Sequence, residues 1–334
     1  MRRKVVVFGT GKRADEFWYD RVPVHYFVDN DQRKWGTTHR GIPVHPPQVL
    51  LNENKDEILV VIASMYAAEI AEQLESYGLQ EGVHYYRNAG PALGALIPEE
   101  FDKILAFKDI HKGKRAFVIG NGPSLRIRDL DRLKDEITFA SNNIFVAFPE
   151  TDWRPTYYTM TDREAARNNR DKVANLLSTK LLPNFLYPYI GQNPNCFWVP
   201  ATPVDVKEIR FSTNIREQII SGMTVTYYNL QLAYYMGVSE IYLLGIDFDY
   251  GPVPKFDPNV PDIYYAHKPE YKVYFHPDYH QEGENCIRPN MDAQYKCYQK
   301  AFHVMNQQGV RIWNASRSTK LDVFPRIDFD DLFN

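Results

Sequence analysis

Cysteine is scarce in this chain. Cys196, Cys286 and Cys297 are the only three among 334 residues, and none forms a Cys-x-x-Cys pair. An odd number of widely separated cysteines argues against a disulfide framework and against a cysteine-rich zinc site. A chain that does not depend on disulfides is typical of a reducing compartment. We therefore expect a cytoplasmic protein.

Long apolar runs are also missing. Runs such as residues 58–63 and 241–245 fall far short of the roughly 20 residues that a membrane-spanning helix needs. The basic start at residues 1–4 is followed by only four apolar residues, 5–8, before Gly9, too few for the apolar region of a signal peptide. We expect no transmembrane segment, and peripheral attachment at the inner face of the membrane stays open.

Charge of one sign is not in excess. The chain has 39 Lys and Arg against 42 Asp and Glu, a net charge of -3. This balance lacks the basic patch that nucleic-acid binding requires, so we expect no nucleic-acid partner. Aromatic residues are plentiful, at 14% with 23 Tyr. They are explained either by ordinary packing or by a ligand groove lined with rings.

The length corresponds to about two domains, and two similar segments indicate where they begin. Residues 5–8 lead into Gly9-Thr10-Gly11, and residues 116–119 lead into Gly120-Asn121-Gly122. A β-rich run that ends in Gly-x-Gly is typical of a buried parallel strand that turns into a helix. We predict the α/β class with two Rossmann-like domains, a small N-terminal half-sheet module and a larger, mostly parallel sheet. The predicted divisions are 1–90, a linker with a connecting helix over 91–112, and 113–334.

Periodicity predicts the individual elements. The predicted strands are 5–8, 24–28, 41–44, 58–63, 116–119, 137–140, 157–160, 197–199, 241–244 and 310–313. The predicted helices are 14–19, 67–77, 98–107, 161–177, 224–236 and 291–308. Residues 248–290 are rich in proline and tyrosine and have no clear periodicity, which favours an irregular functional loop or lid.

The first glycine loop is similar to the dinucleotide fingerprint. Gly9 and Gly11 would let a pyrophosphate approach the backbone, and Asp29, 20 residues after Gly9, would bind a ribose hydroxyl. Only about half of a dinucleotide fold follows, and no residue supplies hydride chemistry. A structural or regulatory half-domain is the preferred interpretation, with binding of a nucleotide or nucleotide sugar left open.

The second glycine loop is more distinctive and lacks the lysine of a P-loop. Gly120 and Gly122 permit close approach of the backbone to a ligand, with Asn121 between them. Pro123 suits the first turn of a helix, and Ser124 can cap that helix or donate to an anion at its N-terminus. The alternative is a plain turn between a strand and a helix.

Polar residues follow the next strands at the same predicted edge of the sheet. Asn142 and Asn143 can bind a base or ribose through their amides, or form a turn. Thr161 and Asp162 can contact the ligand, cap the following helix, or do both.

A second anion site is predicted where Ser221, Gly222 and Thr224 open a long helix. Asp247 and Asp249 form an Asp-x-Asp triplet after a predicted strand, a pattern that many sugar-nucleotide transferases use to hold a divalent metal. The preferred interpretation is that Asp247 holds neighbouring backbone in place. We predict no metal, with Mg²⁺ at these two acids left open.

Histidines in the irregular segment are candidates for a general base, because imidazole titrates near neutral pH. His276 is the first choice and His280 the second. The alternative for each is an exposed loop histidine.

The second domain resembles a known group of proteins, over roughly residues 113–334. The motifs that carry the likeness are the run 120–124, Asn142, Ser221-Gly222, the strand EIYLLGIDF, and Asn314-Ala315-Ser316 with Phe324-Pro325-Arg326. They are similar to the Campylobacter-type bacterial sialyltransferases and, more closely, to the group called domain of unknown function 115. That group includes motility-associated flagellin glycosyltransferase candidates and archaeal 6-hydroxymethylpterin diphosphokinases.

This resemblance implies roles for individual residues. Nucleotide contacts are implied for Gly120, Asn121, Gly122, Ser124 and Asn142, and contacts near the donor sugar or base for Ser221 and Gly222. Tyr250 is implied to assist the departing phosphate. The resemblance also places a catalytic histidine shortly before Asn290-Met291-Asp292, where this chain has Ile287. The motifs FVDND and GIPV resemble small Rossmann-type modules of bacterial sugar biosynthesis.

The resulting hypothesis is a transferase: a glycosyltransferase that uses a nucleotide sugar, with a CMP-nonulosonic acid as one donor, in the synthesis of a bacterial surface polysaccharide or flagellar glycan. The expected partners are the donor and a glycan or glycoprotein acceptor, with a homo-oligomer left open. One alternative is pyrophosphoryl transfer from ATP to a pterin alcohol, which would require Mg²⁺. Another is a non-catalytic protein that binds a nucleotide sugar.

Overall fold

The computed structural model describes residues 3–260 and 263–333. Within these residues, the first sheet has six strands. These are β1 (Lys4–Phe8), β2 (Tyr26–Val28), β3 (Thr38–His39), β4 (Ile42–His45), β5 (Ile58–Ile62) and β6 (Tyr85–Tyr86). Their order is β3-β4-β2-β1-β5-β6, and all neighbours are parallel except β3 and β4. Every residue of β5 is buried, as expected for a central parallel strand.

Two helices contact this sheet, α1 (Ala67–Ser76) and α2 (Ala89–Leu96). The next helix, α3 (Pro98–Asp102), contacts residues 196–199 of the second domain. The helix predicted over 14–19 is a single 3-10 turn, Ala14–Glu16. Helix α2 overlaps the start of the linker predicted over 91–112. A Cβ added at its Gly90 would lie 2.4 Å from the Ala201 carbonyl oxygen, so this helix packs closely on the second domain.

The second domain contains a seven-stranded sheet and two small ones. Its strands are β7 (Arg115–Ile119), β8 (Ile137–Ser141), β9 (Tyr157–Thr159), β10 (Thr179–Pro183), β11 (Cys196–Val199), β12 (Ala201–Pro203), β13 (Ile219–Ser221), β14 (Glu240–Leu244), β15 (Tyr264–Ala266), β16 (Asn285–Ile287) and β17 (Arg311–Asn314). The large sheet has the order β11-β10-β9-β8-β7-β14-β17, parallel throughout. The predicted α/β class with two mostly parallel sheets is confirmed.

Helices of the second domain are α4 (Ile127–Asp131), α5 (Arg163–Asn168), α6 (Arg170–Ala174), α7 (Tyr187–Ile190), α8 (Val225–Tyr235) and α9 (Met291–Gln307). The helix predicted over 161–177 is broken between α5 and α6 at Asn169, whose φ of -116° and ψ of 21° are not helical. Strand β10 was not predicted. Helix α8 is buried on nearly all sides, between the sheet and α9.

The two domains share one hydrophobic core. Trp18 of the first domain is fully buried and stacks on Tyr187, with ring centroids 3.9 Å apart. The Trp18 ring is tilted against Phe101 and edge-on to Trp198. Its Nε1 donates to the Asn184 carbonyl oxygen at 2.9 Å. Across residues 3–260 and 263–333, no helix is both long and apolar enough to cross a membrane.

Candidate functional site

A cleft of about 670 Å³ opens at the carboxyl ends of β7, β8 and β14. The chain runs outward from β7 through β8 to β11, then returns to place β14 on the other side of β7. Ligands of open α/β sheets bind where the strand order reverses in this way. Fourteen of the residues singled out from the sequence line the cleft: Gly120, Asn121, Gly122, Asn142, Asn143, Thr161, Asp162, Ser221, Gly222, Thr224, Asp247, Asp249, Tyr250 and His280.

The glycines of the second loop are required by packing inside the protein. A Cβ added at Gly120 would lie 2.4 Å from the Gly245 carbonyl oxygen, and one at Gly122 would lie 2.6 Å from Asp247 Cγ. The chain leaving β7 therefore lies directly against the chain leaving β14. This close approach accounts for both glycines, whereas the sequence analysis had attributed them to ligand approach.

Pro123 and Ser124 lie outside the cleft lining, in a turn that precedes α4. Helix α4 begins at Ile127, so Ser124 does not cap it. Instead the Ser124 backbone N–H donates to Asp247 Oδ2 at 2.7 Å, and its hydroxyl donates to Oδ1. Burial raises the pKa of Asp247, and these two donors act in the opposite direction. In the structure, Asp247 holds the backbone of Ser124, which is the role other than metal binding that the sequence suggested for it.

Asp249 is paired separately, with Lys320 Nζ 2.8 Å from its Oδ2. The hydrogen bond from Lys320 holds the pKa of Asp249 below its usual value. Within the described ranges, no cluster of three or more His, Cys, Asp or Glu side chains could hold a metal ion. As arranged, Asp247 and Asp249 do not fit a Mg²⁺ site, because both oxygens of each carboxylate are engaged and no third His, Cys, Asp or Glu among the described residues joins them.

Two asparagine oxygens in the cleft have no hydrogen-bond partner. Both Asn121 Oδ1 and Asn142 Oδ1 are buried, and neither is bonded within the part of the chain that the structure describes. Asn142 also has a φ of +52°, and Phe248, just past the end of β14, has a φ of +53°. Left-handed conformations cost non-glycine residues energy and cluster at functional sites. Unsatisfied acceptors of this kind suit a ligand with N–H or O–H donors.

Asn143 makes its bonds within the protein. Its Nδ2 donates to the Tyr279 carbonyl oxygen at 2.7 Å, and its Oδ1 accepts from Asn169 Nδ2 at 3.3 Å. The side chain therefore ties the loop that contains Tyr279 to the end of β8. Asn143 lines the cleft, and the N–H that it donates to Tyr279 is not available to a ligand.

Helix caps account for two further candidates. Asp162 Oδ1 accepts from the Ala165 N–H at 2.9 Å, so it caps α5 while lining the cleft. Burial raises the pKa of Asp162 despite this bond. Thr224 caps α8 by accepting from the Thr226 N–H at 3.3 Å. Ser221 ends β13, and α8 begins at Val225, so the predicted hydroxyl cluster at this helix start reduces to Thr224.

The irregular segment forms a lid over the cleft, which we define as residues 263–290. Strands β15 and β16 pair antiparallel within it, and Tyr265, Val273 and Cys286 pack with Val253 into a small apolar cluster of their own. The lid contacts the glycine loop where the Phe275 N–H donates to the Asn121 carbonyl oxygen at 3.0 Å. Four tyrosines face the cleft from the lid and its surroundings: Tyr250, Tyr274, Tyr279 and Tyr298.

His280 lies in the cleft beside a carboxylate. Its Nδ1 is 3.0 Å from Glu284 Oε2, and both side chains are less than one-sixth exposed. Burial alone would raise the pKa of Glu284, but its contact with His280 outweighs burial and lowers that pKa. The distance from Nδ1 to Oε2 is that of an ion pair without hydrogen-bond geometry, and Nε2 is the other ring nitrogen that can accept a proton.

His276 is not part of the cleft. Its Nε2 lies 2.8 Å from Glu150 Oε1, and its Nδ1 accepts from the Asp278 N–H at 3.0 Å, which caps the 3-10 turn Pro277–Tyr279. Both ring nitrogens are occupied by protein atoms. The order of preference from the sequence, His276 before His280, is therefore not what the geometry favours.

Tyr250 lies in the cleft and its hydroxyl donates to Gln294 Oε1 at 3.1 Å. Burial raises the pKa of Tyr250, against the effect of that bond. The hydroxyl therefore keeps its proton at neutral pH and can serve as a donor.

Three charged residues of the cleft were not predicted: Arg163, Glu284 and Arg288. Arg288 Nε donates to the Tyr264 carbonyl oxygen at 3.0 Å, and no carboxylate pairs with Arg288 within residues 3–260 and 263–333. The four-residue spacing of His280 and Glu284 was the only sequence signal for Glu284. The two arginines had none, since each reaches the cleft through tertiary packing.

The three N-terminal candidates lie away from the cleft. Gly9 has a φ of +104°, and a Cβ there would lie 3.0 Å from the Ala63 carbonyl oxygen. Gly11 has open space around it. Asp29 Oδ2 accepts from Thr10 Oγ1 at 2.7 Å and from Lys34 Nζ at 2.9 Å. This carboxylate is therefore engaged in holding the glycine loop.

The fold and the cleft define the class: an α/β protein with two sheets and a ligand cleft at the reversal of strand order in the second. Residues 95–252 match the model of the family described as 6-hydroxymethylpterin diphosphokinase MptE-like, and residues 1–82 match that described as C2185-like, N-terminal. The MptE-like match covers a little less than half of the chain, and it confirms the resemblance of the second domain to that group.

One solved structure that this chain matches is the MAf glycosyltransferase from Magnetospirillum magneticum AMB-1. The TM-score is 0.43 at 14% identity, and the match covers 98% of this chain. This chain spans 57% of the length of that one. A search of the curated proteins found no match.

Proposed function

We propose that the protein is a transferase whose cleft binds a nucleotide-activated donor, and that the group transferred is a sugar. The observation that carries the proposal is the cleft at the strand-order reversal, which combines unsatisfied amide oxygens with a histidine–carboxylate pair. The site residues inferred from the sequence, apart from Pro123, Ser124, His276 and the N-terminal three, line this cleft.

The donor nucleotide is proposed to lie against Asn121 and Asn142. Their unpaired Oδ1 atoms would accept hydrogen bonds from the ribose hydroxyls or an amino group of the base. Arg288, which has no carboxylate partner among the described residues, would bind the phosphate. Tyrosine rings of the cleft wall would cover the base or sugar faces.

The acceptor hydroxyl is proposed to be activated by His280. Nε2 takes the proton of the hydroxyl, the acceptor oxygen forms a bond to the anomeric carbon, and the bond from that carbon to the phosphate oxygen breaks. The electron pair leaves with the nucleotide phosphate, to which the Tyr250 hydroxyl would donate a hydrogen bond in place of its bond to Gln294 Oε1. Glu284 stabilises the imidazolium that results.

A second candidate function is pyrophosphoryl transfer from ATP to a pterin alcohol. It is favoured by the description of the family that matches residues 95–252. This reaction needs Mg²⁺, and Asp247 and Asp249 could hold it only after releasing Ser124 and Lys320. A non-catalytic protein that binds a nucleotide sugar is the third candidate.

The wider setting is proposed in the same terms. The catalytic unit would be residues 113–334, joined by 91–112 to a module at 1–90. The acceptor would be a bacterial surface or flagellar glycan, and a CMP-nonulosonic acid is one donor to test. Cytoplasmic location, with or without attachment at the inner membrane face, belongs to the same proposal.

The first test is a thermal-shift screen against CMP, CDP, UDP, GDP, ADP, ATP and NAD, with and without Mg²⁺. A nucleotide at about 100 times its Kd should stabilise the fold by about 2.7 kcal/mol. A metal-independent shift with CMP, CDP, UDP or GDP supports sugar transfer. A shift with ATP that requires Mg²⁺ supports the diphosphokinase instead, and a shift with NAD alone would contradict both.

The second test measures release of the nucleotide from the matching nucleotide sugar, with and without added glycan acceptors. Turnover by the wild type that is lost in H280A, with nucleotide binding retained, supports the proposed mechanism. Binding without turnover under any condition favours the non-catalytic alternative.

A further inference from the structure

One wall of the cleft is held by a residue of the first domain. Arg163 lines the cleft as the first residue of α5, directly after the cap Asp162. Its Nε donates to Glu16 Oε1 and its Nη2 donates to Glu16 Oε2 at 2.9 Å. Glu16 belongs to the 3-10 turn Ala14–Glu16 that follows the first glycine loop.

The geometry holds the guanidinium firmly. Two parallel hydrogen bonds to one carboxylate fix both the position and the plane of the group. The Arg163 guanidinium carbon lies over the ring of Phe185, 4.1 Å from the ring centroid, and Phe185 also lines the cleft. Glu16 is mostly buried, at 16% side-chain exposure, whereas Arg163 retains 39%. The remaining N–H groups of the fork are therefore available to a ligand.

We infer that Arg163 contacts an anionic group of the substrate and that Glu16 is the positioning residue that holds it there. This inference rests on the proposed function, since it assigns a phosphate or carboxylate of the donor or acceptor to Arg163. The first domain then contributes to the cleft wall, and its glycine loop helps to position a substrate-binding residue of the second domain.

A purely structural role for the pair explains less. Partly exposed ion pairs add little to stability, and the two domains are already joined through the buried ring of Trp18. The neighbouring residue offers a comparison. Asp15 in the same turn pairs with Arg40, Nη2 to Oδ1 at 3.1 Å, entirely within the first domain and outside the cleft lining.

The test compares E16Q, R163Q and the double variant E16Q/R163Q with the wild type, and D15N serves as the matched control. The full-length proteins are titrated with the nucleotide and nucleotide sugar identified by the screen, and steady-state kcat and KM are measured separately. We expect E16Q to raise Kd or KM for the anionic substrate about 5- to 10-fold, with kcat changed less than about twofold. The double variant should match R163Q, and D15N should match the wild type.

Several results would overturn this assignment. They are an unchanged Kd and KM in both E16Q and R163Q, effects of the two substitutions that add in the double variant, or an equal effect of D15N. A fall in thermal stability in E16Q without a change in KM would make the pair structural only. A wild type that binds no nucleotide in the screen overturns the proposed function itself, and with it this inference.

Discussion

Two glycines taken from loops with the same Gly-x-Gly pattern have different surroundings. Gly120 packs against the backbone of Gly245, whose carbonyl oxygen would lie 2.4 Å from a Cβ at Gly120. Gly11 has no atom within 4 Å of that position. The pattern alone therefore does not say whether a ligand or the protein itself occupies the space.

This difference predicts that replacement by alanine lowers the free energy of unfolding more at Gly120 than at Gly11. Gly120→Ala should reduce the free energy of unfolding by about 1–3 kcal/mol, because the Gly245 backbone, directly after β14, must shift to admit the methyl group. Gly11→Ala should change it by less than about 0.5 kcal/mol. Urea unfolding of both variants measures the two values, and equal destabilisation would contradict the packing assigned to Gly120.

His280→Ala should lower kcat by about 10²- to 10⁴-fold, because it removes the proposed base, and the neighbouring His267, with its ring centroid 5.4 Å from that of His280, does not line the cleft. The affinity for the nucleotide should stay within about threefold of the wild type. His303, exposed on α9 and outside the cleft, is the matched control, and its replacement by Ala should leave turnover unchanged. His276→Ala with a larger loss than His280→Ala would reverse the assignment of the base.

Asp29 gives a prediction for acid stability. Burial would raise its pKa, but hydrogen bonds from Lys34, Thr10 and the Asp31 N–H outweigh burial and lower the pKa below 3.8. A lowered pKa stabilises the fold above pH 3.8, and this contribution is lost as the pH falls through the folded-state value. Asp29→Asn should therefore cost roughly 1–2 kcal/mol at pH 7, and progressively less below pH 3.8.

Urea unfolding of the wild type and Asp29→Asn at several pH values between 7 and 3 measures this difference. A cost that does not change with pH would show that the charge of Asp29 is not responsible. Nucleotide binding in the cleft should be the same in both proteins, because Asp29 lies outside it.

At the scale of elements, the lid depends on few attachments. Its turn at Pro277–Tyr279 is tied to the end of β8 by the bond from Asn143 Nδ2 to the Tyr279 carbonyl oxygen. Tyr274 stacks on Tyr279 with centroids 4.1 Å apart, which orders the lid internally. Elements held by few buried contacts open more easily than a sheet core.

Asn143→Ala should therefore loosen the lid while leaving the sheets intact. Removing a bond to a buried carbonyl costs about 1–2 kcal/mol locally, which corresponds to about 5- to 30-fold faster amide exchange over residues 276–284. Hydrogen-exchange mass spectrometry measures the rate, with β7 as the internal reference. Unchanged exchange in the lid, or equal acceleration in β7, would contradict this attachment.

The elements predicted from the sequence were those with unbroken apolar runs, such as β5 and β14, whose residues are almost all buried. Strand β10 was missed because its sequence, Thr-Lys-Leu-Leu-Pro, contains a lysine and a proline that argue against a strand. Lys180 is nevertheless buried, with its Nζ donating to the Leu176 carbonyl oxygen at 2.6 Å.

The strand ends that form the cleft were also predicted, because polar residues after parallel strands must meet at one edge of the sheet. The partners that occupy those residues were not. Ser124 bonds to Asp247 across 123 positions of sequence, and Arg163 to Glu16 across 147. Such pairings depend on how the two domains and the loops pack, which periodicity does not encode.

At the scale of the whole molecule, one core runs through both sheets, so we expect a single cooperative unfolding transition. Trp18→Ala should lower the free energy of unfolding by about 3–5 kcal/mol, because it leaves a cavity between Tyr187 and Trp198. Calorimetry should show a lower Tm, with the two domains beginning to unfold separately. A variant as stable as the wild type would contradict a shared core.

The bidentate contact between Glu16 and Arg163 has a consequence for recombination between genes. The first domain has its own sheet and is formed by one continuous segment of sequence, as an exchangeable module would be. A chimera that joins residues 91–334 to another Rossmann-type module would need more than a compatible linker. It would need an acidic side chain in the place of Glu16 and a large ring in the place of Trp18. We therefore expect the two halves to be inherited as a unit.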